Sequence, residues 1–162
     1  MKDRRVIALE RVLSRRRAHE HKLNAALAAR REQVLALETE WSARSEAAGR
    51  EADSLQRQDG DIDAMMGGST FRADQLLMLR EYRAVAAERH AALAAEAERA
   101  RGALADGEAA MQAARGEILR NRARVDIYAK RRDALVRKLA LALEDAADEE
   151  AAENRRPQPR PF

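Results

Sequence analysis

Two trains of apolar residues, each repeating at every seventh position, run through a chain that has no proline before residue 157. The first train is Val6, Leu13, Leu27, Val34, Trp41, Ala48, Leu55 and Ile62, interrupted by Glu20. Three residues on, a companion row alternates Leu and Arg through Leu9, Arg16, Leu23, Arg30, Leu37 and Arg44. The second train is Leu76, Arg83, His90, Ala97, Leu104, Met111, Ile118, Val125, Arg132 and Leu139. Its companion row is Leu79, Ala86, Leu93, Ala100, Gly107, Ala114, Asn121, Tyr128, Leu135 and Ala142. A seam held in phase over that many heptads demands a long α-helix coiled left-handedly against a partner. With no proline to remove a backbone donor, nothing in the chain before residue 157 forbids it. The Arg in the first companion row can lay their methylenes along the seam and carry the guanidinium into water.

Between the trains the chemistry changes to that of a turn, with Asp59-Gly60-Asp61 and then Gly67-Gly68-Ser69-Thr70. The fold class expected is therefore all-α, a long two-helix antiparallel coiled-coil hairpin over residues 1–153. Helix 1 is expected over about 3–58 or 3–66, the turn over about 59–70 and helix 2 over about 71–153. Ser69 or Thr70 would cap helix 2, with Asp74 favoured in its first turn by the helix dipole. A turn centred near residue 67 sets residue 5 beside about 129 and leaves helix 2 overhanging by on the order of 20 residues. The same register sets Trp41 against Ala91, Ala94, Ala95 and Ala97. Gly102, Gly107 and Gly116 are read as softening the middle of helix 2, because each disfavours helix by about 1 kcal/mol. Residues 154–162, rich in Pro and Arg, are expected to form a flexible tail.

Composition removes several classes of function. With no Cys there is no disulfide framework, thiolate metal site or cysteine nucleophile. No 18-residue apolar stretch is present, so no membrane insertion is expected, and no signal-like apolar segment follows Met1, so a cytoplasmic location is. Phosphate loops, nucleophile elbows and zinc-protease signatures are missing as well. His19 and His21 point to different sides of a helix, and His90 reads as a packing residue on the seam. Carboxylate pairs such as Glu38/Glu40 and Glu149/Glu150 have no cleft to desolvate them. The chain is expected to be no enzyme and to carry no cofactor and no metal.

Charge is sorted along the sequence. Residues 1–35 and 118–138 each carry a net +6, residues 36–68 a net −5, and residues 139–153 a net −6. Folding the hairpin brings the two basic stretches side by side. Ordinary solvation of long helices accounts for scattered Arg but not for this segregation, which favours a partner of opposite sign.

One local pattern is Arg11-Val12-Leu13-Ser14-Arg15-Arg16-Arg17-Ala18-His19-Glu20-His21-Lys22-Leu23. A second is the stretch from Phe71 to Leu93, which contains Leu79-Arg80-Glu81-Tyr82-Arg83. Together with the size, the two helices and the Ala/Arg/Glu bias, they resemble the YscO/HrpO group of bacterial type III secretion proteins, whose flagellar cousin is FliJ. The resemblance implies a central stalk whose termini-bearing end enters the hexameric secretion ATPase. It implies further contacts with the export-gate protein and with secretion chaperones, and a cytoplasmic position peripheral to the inner-membrane apparatus. The family supplies the partner; charge selects the residues expected to meet the ATPase, which are Arg11, Arg15, Arg16, Arg17, Arg120, Arg124, Lys130, Arg131, Arg132, Arg137 and Lys138. Two other readings rank below this one. A nucleic-acid-binding coiled coil would use the same basic stretches, but the turn half is acidic and no aromatic stacking platform is present. A structural homodimer would cover the apolar surface that a two-helix fold leaves half open.

Overall fold

A computed structural model describes residues 3–155. The fold is all-α, with no strand among the described residues. Helix α1 spans Arg4–Met66 and helix α2 spans Ala73–Asn154. Asp3 caps α1. Its Oδ1 accepts the Arg5 N–H at 2.6 Å while its carbonyl accepts Ile7 N–H at 3.1 Å, satisfying donors that a helix start otherwise leaves open.

Helix α1 runs through Asp59-Gly60-Asp61 without a break, and the turn falls on residues 67–72. Gly67 N–H still donates to the Asp63 carbonyl at 2.9 Å, and Gly68 N–H donates to that of Met65 at 3.4 Å. The start of α2 differs from the expected Ser69 or Thr70 cap. Helix begins at Ala73, the Arg72 carbonyl takes the first bond from Leu76 N–H at 3.1 Å, and the Arg72 guanidinium grips Asp74 at 2.8 Å. Asp74 stays in the first turn, where the dipole favours it. Asn154 is the last helical residue and Arg155 a turn; the rest of the expected 154–162 tail, from residue 156, lies outside the described residues.

The chain divides into two compact units: Met1–Ala25 with Arg115–Phe162, and Ala26–Ala114. The second, the turn unit, is an antiparallel helical hairpin. Leu27, Ile62, Leu76, Ala86 and Ala100 are its buried apolar residues. Cross-helix ion pairs join Arg44 to Glu96 at 2.6 Å, Arg89 to Glu51 at 4.0 Å, and Arg83 to Asp59. These pairs correct the expected register. Because α1 persists to Met66, the turn centres near residue 70 instead of 67. Trp41 is therefore bracketed by the Arg44–Glu96 and Leu37–Gly107 contacts, about a turn further along α2 than the Ala91–Ala97 patch.

Gly107 also has a packing role. A Cβ there would sit 2.9 Å from Leu37 Cδ1 and 3.5 Å from Val34 Cγ2, so its small size lets the helices approach. Gly102 meets nothing within 4 Å and has no such role.

In the first, basic unit, Val6, Leu13 and Ile118 are buried together with Asn121. Every buried residue of both units lies on the heptad rows described above. On α2 the last half-buried position is Leu139, and residues 140–155 are exposed throughout.

Candidate functional site

The basic unit contains all eleven cations singled out by charge. Two of them, Arg16 and Arg132, sit on the seam and are half-buried. Arg16 is held there by Asn121, which is only 4% exposed. Asn121 Nδ2–H donates to the Arg16 carbonyl at 3.2 Å, and Arg16 Nη1–H reaches Asn121 Oδ1 at 3.5 Å. The Arg16 guanidinium is thus turned to a partner on the opposite helix. Arg132 closes on its neighbour Asp133 at 2.6 Å.

The other nine behave differently. Arg11, Arg15, Arg17, Arg120, Arg124, Lys130, Arg131, Arg137 and Lys138 are exposed, and none makes an ion pair among the described residues. Heptad geometry explains this. Arg124, Arg131 and Lys138 are seven apart and form one outward stripe, with Lys130 and Arg137 one position to its side. On α1, Arg15 and Arg16 line a shallow groove of about 310 Å³ with Val12 and His19. The unit can therefore offer unneutralised cations on both helices to an anionic surface, while Arg16 and Arg132 are committed to packing.

Two residues of this region were not among those singled out. Arg122 bridges the helices by donating to Glu20 at 2.7 Å, and Asn121 is the buried polar residue of the seam. Both carried a sequence signal. Glu20 is the charged break in an apolar row, which calls for a cation across the seam, and Asn121 is a lone amide in a row of apolar residues.

Among the described residues no group of three or more His, Asp or Glu could hold a metal ion, and no helix is long and apolar enough to cross a membrane. A family model for the bacterial type III secretion protein HrpB7 matches residues 4–155. No curated protein and no solved structure matches the chain.

Proposed function

The chain belongs to the HrpB7 family of bacterial type III secretion proteins, and from that premise we propose that it is a non-catalytic stalk that binds the secretion ATPase and couples or stimulates it. The observation that carries this reading is the set of nine exposed cations without ion pairs, drawn from both helices of the basic unit. A helix pair with an unneutralised charged surface suits contact with the inside of a protein ring better than it suits chemistry, which needs a desolvated cleft. The turn unit, with its acidic α1 half, is the part that would meet the export gate or chaperones. The site of action on this reading is the cytoplasmic side of the inner-membrane apparatus.

The test is the double variant Arg124→Glu with Arg131→Glu. Both side chains are exposed and off the seam, so far-UV circular dichroism stays helical. Binding to the secretion ATPase, followed by co-sedimentation, is expected to be lost. Undiminished binding would remove the basic surface from the mechanism.

A further inference from the structure

The turn end of the hairpin leaves apolar surface bare. Phe71, Leu77, Met78, Tyr82 and Val85 are each more than half exposed, as is Met66 at the end of α1. They fall off the seam. In this stretch the seam rows are Leu76 and Arg83 with Leu79 and Ala86, whereas Met78, Tyr82 and Val85 follow one another at steps of four and three along another face of α2. Phe71 stands in the turn, seven residues before Met78. Single exposed apolar residues are ordinary, but a run of them at helical spacing marks a face that another element covers.

The charge beside this stripe identifies what covers it. Asp74, Glu81 and Glu88 are seven apart and form a row alongside Met78 and Val85, with Leu77 on the other side of that row. Arg72 takes Asp74 at 2.8 Å. Glu81 and Glu88 make no ion pair among the described residues, and neither do Asp61 and Asp63 near the end of α1. The other cations of residues 72–89 are directed across to α1. Arg83 pairs with Asp59, Arg89 lies 4.0 Å from Glu51, and Arg80 Nη2 reaches Met66 Sδ at 4.0 Å. Carboxylates are thus the charge left open next to the apolar stripe. We infer that this stripe of the turn unit docks an amphipathic helix of a partner protein, one that presents apolar residues at steps of three and four with Lys or Arg at every seventh position along their flank.

The dimensions and the side chains suit such an occupant. From Asp74 to Glu88 the helix rises about 21 Å, which a partner helix of about 14–18 residues covers. Met78 is unbranched and repacks readily against an incoming side chain, while Phe71 and Tyr82 supply contact area. Apolar anchors fix the helix in place, and the carboxylate row selects partners whose flank is basic and rejects those whose flank is acidic. An anionic lipid surface would meet Glu81 and Glu88 with like charge. The inference rests on the reading of the turn unit as a docking end and names the chemistry that end takes; contact with the ATPase plays no part in it.

The probe is a fluorescently labelled, amidated peptide of about 18 residues built from Leu, Ala and Lys, with Leu at steps of three and four and Lys at every seventh position beside them. Its counterpart carries Glu in place of each Lys. Fluorescence anisotropy with full-length protein is expected to show the Lys peptide binding more tightly than the Glu peptide. Met78→Ser with Val85→Ser is expected to weaken the Lys peptide about tenfold, and Glu81→Lys with Glu88→Lys to reverse the preference between the two peptides. Glu149→Lys with Glu150→Lys, in the other carboxylate-rich stretch, is expected to leave binding within about twofold. Binding of the Lys peptide that ignores both pairs of substitutions in the turn unit, or that is lost with the pair at 149 and 150, would overturn the inference. Tighter binding of the Glu peptide to the natural chain, lost with Met78→Ser and Val85→Ser, would overturn the charge class and leave the docking end standing. Binding of neither peptide would remove both. Circular dichroism of every variant excludes loss of helix as the cause.

Discussion

Asn121 and Asp59 show two uses of a polar side chain in a pair of helices, one on the seam and one beside it. Asn121 is buried, and its amide is satisfied on both sides by Arg16. A buried amide in an otherwise apolar row contributes less stability than a leucine, but it penalises every register in which its bonds are broken. Asn121→Leu is therefore expected to raise the thermal midpoint of unfolding while admitting additional oligomeric species in sedimentation. Asn121→Ala, which opens a gap and removes the bonds, is expected to cost about 1–2 kcal/mol in chemical denaturation. Asp59 is at the surface of the turn unit. Hydrogen bonding from Arg83, Nη2 to Oδ2 at 3.4 Å and Nε to Oδ1, aided by the charge of the guanidinium, holds its carboxyl below the ordinary value of 3.8 and raises the guanidinium in turn. A carboxylate more acidic in the folded than in the unfolded chain stabilises the fold above its unfolded pKa, and that contribution is lost as pH falls through the folded value. Carboxyl NMR titration is expected to find Asp59 among the most acidic side chains, and Arg83→Ala should return it toward 3.8.

At the level of the element, α2 holds its 82 residues in helix despite three internal glycines. Two of these glycines separate propensity from packing. Gly102 faces open space, so Gly102→Ala recovers the helix propensity that glycine forfeits and is expected to stabilise by about 1 kcal/mol. At Gly107 the same gain is opposed by Leu37, whose terminal methyl lies 2.9 Å from the added Cβ and has to move. Gly107→Ala is expected to gain less than Gly102→Ala or to lose stability, and the difference between the two urea midpoints reads the cost of displacing Leu37. The sequence discloses that these glycines weaken a helix. It does not disclose which of them a neighbouring helix needs, because that depends on a register set by the last turn of α1.

For the whole molecule, stability is expected to be distributed unevenly, because burial is. Leu13 is 2% exposed, whereas α2 beyond Leu139 buries nothing. Local opening costs least where few apolar contacts are lost. Amide hydrogen exchange in dilute solution is therefore expected to be fastest, among helical residues, over 140–154, and slowest around Leu13 and Ile118. Equal protection over both regions would contradict this distribution. Inter-helix ion pairs are unevenly distributed too, with those of Arg44, Arg83 and Arg89 in the turn unit and that of Arg122 with Glu20 in the basic unit. Much of that partition can be read in the sequence, since charge blocks are contiguous. The commitment of Arg16 to Asn121 cannot, because it depends on which residues the packing brings across the seam.

Periodicity and the absence of proline decided that this chain is helical, where its seams lie and which residues are buried, because a heptad row specifies the covered face of a helix wherever the partner stands. The tertiary structure alone decided the register. Helix α1 runs on through Asp59-Gly60-Asp61, since local turn chemistry is weaker than the propagation of an existing helix flanked by Ile62 and Met65 on the seam. That extension moves every cross-helix pairing in the turn unit and so determines why Gly107 is small. In the basic unit, packing likewise determines why Arg16 faces an amide while Arg124, Arg131 and Lys138 remain open to a partner.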